Sequence, residues 1–325
     1  MKKGNTIIGA ILLIAVAFTL ILWKTQTPDN EVRKYAYIPS TLVDAPSTVG
    51  VDLLREKGIK PISFVTGRET VQALTGGAAF VATLAEWPFL LASSNRDDLR
   101  VIAVITSAQS MGILADRSAG VESARDLIGK RVGFPQGTSA QFLFESYFNS
   151  AGTLKKVTPV NLPPPQLQPA LARGDIQAMA IWQPFLERAR MERPDDFFYL
   201  PESRTAFRVV YCVVSTQENI KRDPEGIKRV LEALIEAEGV LANRTPAALD
   251  KLRSATNLDS ETLNTLLPLF RYQVVLDNEI INTWKRLAVW AHASGLAPED
   301  VLERNWRNYI HSETLQELAP ERVRF

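Results

Sequence analysis

The chain has 325 residues, 46% of them hydrophobic and 22% charged, which suits a folded globular protein built from two lobes rather than around one core. Its formal net charge is +1, without the basic excess that a nucleic-acid binder carries. One cysteine, Cys212, and two histidines, His292 and His311, leave no internal disulfide framework, no cysteine-based zinc site and no HExxH pattern, so neither a metal nor another cofactor is expected.

Lys2 and Lys3 precede an uncharged apolar run from residue 7 to residue 23, closed by Lys24. The run is short for a bilayer span and long for the core of a signal peptide. Its end, Leu22-Trp23-Lys24, lacks the small residues of a cleavage site, and no cysteine follows to carry a lipid. The expectation is an uncleaved N-terminal anchor over residues 1–30, with a cleaved signal as the alternative. The two lysines would stay inside and the rest of the chain would lie on the periplasmic side of the inner membrane.

Beyond a polar linker, strands and helices alternate. Residues 34–38, 61–66, 99–105 and the run AAFVATL read as strands; residues 49–57 and 68–74 read as helices closed by glycines. This βαβα order predicts an open parallel α/β sheet. A second block opens near Asp116, with a short helix at 123–128, strands at 131–134, 157–162 and 176–182, and helices at 139–150, 167–173 and 184–191. VVYCVVS, within 208–215, is apolar enough to be a central strand, and the chain past Asp223 reads as almost wholly helical, including 260–270 and 298–308.

In open α/β sheets ligands collect where strands run into helices, which selects the loops after each strand. Ser47 and Thr48 precede the first helix, as solute donors or as caps. Glu86 and Trp87 end a strand, the one a partner for a cationic group or a solvated helix-start acid, the other a stacking face. Gln109 and Ser110 line the cleft or form a hinge. In FPQGTSAQF, Gly137 keeps the turn bare, and Thr138 with Gln141 forms a T-x-x-Q capping box that puts Thr138 on the N–H of Gln141. A cap satisfies one orphan N–H, leaving those of Ser139 and Ala140, with the helix dipole, for an anion. Trp182 is a cleft wall or a packed aromatic, with Gln183 beside it for polar contacts. Tyr211 points away from the inert thiol of Cys212 and reaches the cleft through its hydroxyl. Arg204 and Arg208 are further charge partners, or solvated side chains.

The stretch DLIGKRVGFPQGTSAQFLFESYFNSAG, with VTPVNLPPPQLQPALARGDIQAMAIWQPF after it, resembles the periplasmic solute-binding proteins of ABC importers for aliphatic sulfonates, taurine and nitrate, which have thiamine-precursor-binding relatives. The likeness is dense over residues 110–190, looser over 35–105 and faint in the tail. It implies an α/β, two-lobed periplasmic-binding fold of type II with two crossovers, the first near Leu114–Asp116 and the return near Arg208–Val213. Lobe 1 would be 31–114 plus 209–325 and lobe 2 would be 115–208. It further implies capture of a small anionic or polar solute for an ABC permease with its ATPase, without catalysis. The chain departs from the family's two Gly-x-x-Asp stretches at Phe80 and Gln177, and in its apparent anchor.

Rival readings keep the scaffold. One replaces the anion by a thiamine-type pyrimidine held by Trp87, Trp182 and Glu86. Another is an enzyme like a pyrimidine-synthesising relative, which one cysteine and two distant histidines disfavour. A third is a sensor signalling through the anchor.

Overall fold

Strand β1 (Lys34–Tyr37) opens the first sheet. After it come α1 (Ala45–Val49), α2 (Val51–Glu56), β2 (Lys60–Ser63), α3 (Gly67–Thr75), β3 (Val81–Ala85), α4 (Glu86–Ser93) and β4 (Leu99–Ala108). The computed structural model describes residues 32–325, so the apolar run expected to anchor the chain lies outside the described residues. Among the described residues no helix is long and apolar enough to cross a membrane.

Next in the chain are β5 (Met111–Asp116), β6 (Arg131–Phe134), α5 (Ser139–Ser150), β7 (Thr158–Asn161), α6 (Pro164–Ala172), β8 (Ala178–Trp182), α7 (Phe185–Glu192) and β9 (Phe197–Tyr199). The chain then makes β10 (Val209–Thr216), α8 (Gln217–Arg222), α9 (Pro224–Ala242), α10 (Pro246–Thr256), α11 (Ser260–Leu266), β11 (Phe270–Asp277), α12 (Asn278–Ala293), α13 (Glu313–Leu318) and β12 (Val323–Arg324).

These strands form two sheets, ordered β12-β11-β4-β10-β3-β1-β2 and β7-β6-β8-β5-β9. The expected parallel sheet is a mixed one. β1 pairs parallel with β2 and β3, but β10 enters antiparallel between β3 and β4, and β11 lies antiparallel on β4. The second sheet is parallel over β6, β7 and β8 and antiparallel through β5. A β-branched, wholly buried strand such as VVYCVVST suits the sheet centre in either direction, so its composition carries no sign of polarity.

The chain leaves the first sheet at Gln109 and Ser110, since β5 already belongs to the second; the crossing therefore precedes the expected Leu114–Asp116. It returns between Tyr199 and Val209. The expected helix over 260–270 ends at Leu266 and gives way to β11, and the one expected over 298–308 is two short 3-10 turns, Glu299–Leu302 and Trp306–Tyr309.

The larger core runs beneath the first sheet and its helices. There Trp284 of α12 is fully buried, stacked on Phe89 of α4 with ring centroids 4.7 Å apart and tilted against Trp306 at 5.4 Å. Truncating so large a side chain leaves a hole that the three-way aromatic packing cannot close. Trp284→Ala is expected to lower unfolding stability by about 3–5 kcal/mol, read from the midpoint and slope of urea denaturation; a loss under about 1 kcal/mol would show that the cluster is dispensable.

Candidate functional site

A pocket lies where the two sheets face each other. The first sheet's side supplies Ile38, Thr41, Val43, Val65, Thr66, Gly67, Ala85, Pro88, Val209 and Tyr211; the second supplies Met111, Thr138, Ser139 and Trp182. None of these side chains carries a charge, and most of the wall is hydrocarbon. The helices α3 and α5 both start at the pocket, one from each side. First-turn N–H groups have no partner within a helix, so the two starts offer donors and positive dipole ends.

At α3 part of that capacity is spent. Thr66 accepts from the N–H of Glu69, and the Glu69 carboxylate accepts from the backbone of Val65 and Thr66. At α5 the cap differs from the one its sequence suggests. Thr138 Oγ1 accepts from the N–H of Ala140 at 3.2 Å and donates to the Pro135 carbonyl at 2.7 Å, while the N–H of Gln141 goes to the Thr138 carbonyl. The Gln141 side chain reaches back one residue further than a capping box needs, accepting from Gly137 N–H at 2.9 Å. Gly137 has φ +76° and nothing within 4 Å of where a Cβ would sit, so its glycine serves the left-handed turn and no close approach.

The negative group nearest the start of α5 belongs to the protein. Glu86, fully buried at the start of α4, accepts from Ser139 Oγ at 2.6 Å with one oxygen and from Val210 N–H at 2.7 Å with the other. One carboxylate thus ties β3, the start of α5 and the return into β10. Burial pushes it from an ordinary 4.5 up to about 7, against the lowering effect of its hydrogen bonds to Ser139 and Val210.

Of the residues singled out in the sequence, the pocket brings together Thr138, Ser139, Trp182 and Tyr211. Trp182 Nε1 and the Tyr211 hydroxyl are buried without a hydrogen-bond partner, two polar atoms left for something else. The remaining candidates lie off the pocket. Ala140 is buried in α5 behind its cap, and Trp87 is a core side chain packed edge-on against Trp290 at 4.7 Å. Ser47 is within 2.7 Å of the Tyr35 hydroxyl, and Thr48 is buried beside it. Gln109 and Ser110 form the sheet crossing, where the Ser110 carbonyl accepts from Gln183 N–H. Gln183 caps α7 through Glu187 N–H and donates to the Tyr199 hydroxyl. Arg204 lies over the Tyr199 ring, and Arg208 pairs with Glu279 at 3.8 Å. Phe80 is a core residue whose carbonyl is held by Ser215 and Asn219; Gln177 bonds Arg131 and Gly174.

One residue was missed. Asp44 stands immediately before Ala45-Pro46 and looks like an ordinary helix cap, yet its side chain makes no cap. It is fully buried and turns back towards β1 and β3, accepting from Ile38 N–H at 2.7 Å and from Thr83 Oγ1 at 2.6 Å. Burial raises its carboxyl from 3.8 to about 7.

Two sheets joined by two crossings around a shared pocket make the periplasmic-binding-protein fold. The match to the alkanesulfonate-binding protein SsuA of Xanthomonas axonopodis pv. citri bound to MOPS is one instance of it: TM-score 0.71, 19% identity, 86% of this chain and 98% of that one. Residues 56–244 match the NMT1/THI5-like family model, and the chain belongs to that family. A putative binding protein of Brucella abortus (strain 2308) is 26% identical over 211 residues, 62% of this chain, and the match spans 63% of that relative's length. A putative aliphatic sulfonates-binding protein of Bacillus subtilis (strain 168) is 21% identical over 279 residues, 82% of each chain.

Both buried acids hold protons more tightly in the folded than in the unfolded chain. Their contribution to stability is complete below about pH 4 and declines as pH rises to about 7, because the unfolded chain loses these protons first. Unfolding free energy measured from pH 4 to 8 should fall over that window, and Glu86→Gln should flatten the slope; a slope unchanged in the variant would remove Glu86 as its source.

Proposed function

We propose that the chain is an extracytoplasmic solute-binding protein of an ABC importer, which closes two lobes on a small organic anion of the sulfonate type and presents it to a permease with its ATPase. One lobe carries the first sheet and the C-terminal helices, the other the second sheet, with hinges at Gln109–Ser110 and between Tyr199 and Val209. Ligand contacts made by both lobes at once would stabilise the closed state, the form a permease can select. The apolar run over residues 7–23 is proposed as the tether or export signal.

The observation that carries the reading is the character of the pocket. Two helix starts, the indole N–H of Trp182 and the hydroxyl of Tyr211 supply donors without a cationic side chain. Such a set suits a singly charged, weakly hydrated oxyanion better than a doubly charged one, whose desolvation it could not offset. The hydrocarbon wall asks for an organic tail, which favours an alkyl or aryl sulfonate over nitrate. The name of the Bacillus subtilis relative, an aliphatic sulfonates-binding protein, supports the same class.

Melting of the purified protein should rise saturably with butane- and benzenesulfonate and stay flat with nitrate and sulfate. Trp182→Ala should weaken the sulfonate by about tenfold or more, since wall contact and a donor go together. Stabilisation by pyrimidines alone would overturn the anion reading.

A further inference from the structure

A second pocket lies between α9, α10 and β11, and none of its lining residues belongs to the pocket between the sheets. Leu241, Leu249 and Leu267 give it hydrocarbon. Phe270 and Tyr272, on one face of β11, add a pair of nearly parallel rings with centroids 5.9 Å apart. Two charged side chains also line it. Glu238 is already spent, one of its oxygens accepting from the Val274 N–H and from Arg322, both at 2.7 Å. Arg244 is exposed, and its guanidinium has no hydrogen-bond or ion-pair partner among the described residues. It stands near the Tyr272 hydroxyl, which burial raises and the Arg244 charge pulls back.

The backbone of Arg244 has φ +46°, a left-handed conformation that favours glycine, so the arginine costs strain there and returns no contact within the fold. Beside it α9 ends at Ala242 and α10 begins at Pro246, with Leu249 in the first turn at the positive end of the helix.

We propose that this pocket is a second ligand site, taking a small carboxylate with a short apolar tail, and that its occupancy strengthens solute binding. A guanidinium meets a planar carboxylate through two parallel N–H bonds, and the leucines and rings take the tail. The coupling rests on the pocket between the sheets being the solute site. The Tyr272 hydroxyl donates to the Leu42 carbonyl at 3.0 Å, and Leu42 lies between Thr41 and Val43 of the solute pocket wall. Leu269, between Pro268 and Phe270 of the second pocket, accepts from the Gln109 N–H at 3.3 Å, at the outgoing crossing. One side of the second pocket is thus tied to the solute wall and another to a hinge. The lobes touch in this structure, Ser139 donating to Glu86 across them, so a tail packed on Tyr272 and Pro268 holds both ties as closure needs them.

Calorimetric titration of the full-length protein at pH 7 with hexanoate, acetate and hexylammonium, alone and with butanesulfonate, tests this. Hexanoate should bind at least about tenfold tighter than acetate, and hexylammonium should not bind. Arg244→Gly removes the guanidinium and suits the positive φ, so it should weaken hexanoate by about tenfold or more and melt no lower than the parent. Saturating hexanoate should tighten butanesulfonate by about fivefold, a gain absent from Arg244→Gly. Hexanoate that does not bind, binds Arg244→Gly equally well or is displaced by butanesulfonate overturns the second site and leaves the sulfonate reading intact. Arg244-dependent binding of hexanoate with butanesulfonate affinity unchanged overturns the coupling and leaves the site. Arg244-dependent binding of hexanoate by a protein that takes no sulfonate overturns the sulfonate reading and leaves the site.

Discussion

The first sheet depends on a strand it cannot make from its own neighbourhood. β10 arrives from the far side of the second sheet and inserts antiparallel between β3 and β4, pairing with both along its length. A fully buried strand at a sheet centre must satisfy its backbone on both edges, so without β10 the facing edges of β3 and β4 would be left unpaired. Everything at the pocket follows from that insertion. It places Tyr211 in the wall, offers the Val210 N–H to Glu86, and fixes the returning crossing beside the outgoing one.

The two buried carboxylates show how differently the same residue type is handled. Glu86 has both oxygens answered, by a hydroxyl and a backbone amide on separate elements, and acts as a bolt between the sheets. Asp44, on a turn that borders the pocket, is held within the first sheet by Thr83 and the Ile38 amide. The pocket surface itself has no charge, so the field inside it is set by these acids behind the wall and by the two helix starts.

Much of this was legible in the residues. β6 and α5 fall on the residues the periodicity selects, and VVYCVVS lies at the sheet centre. Strand polarity was not legible, because apolar strands buried on both faces look alike in either direction. β11 was lost in FRYQVVLD because Arg271 and Gln273 interrupt its apolar residues and a helix runs almost up to it. β5 was lost because MGILAD is short and contains Gly112, which the Arg204 and Leu186 side chains approach closely. At the site, the loops were found but their occupants were not. Glycine, threonine and serine before a helix announce a turn, whereas Asp44 resembles a cap and only its long-range partners show otherwise.

The route of the chain also sets an order of assembly. The second sheet is drawn from one contiguous stretch, Met111 to Tyr199, whereas the first waits for β10 and β11, far downstream. Such long-range pairing closes slowly. As the polypeptide grows, the later-numbered sheet is complete while the earlier one still shows a gap between β3 and β4. That gap is a β-strand acceptor, open to any extended segment until residues 209–216 arrive. The nascent protein is thus most exposed to mispairing in its first third, after that third has already been made.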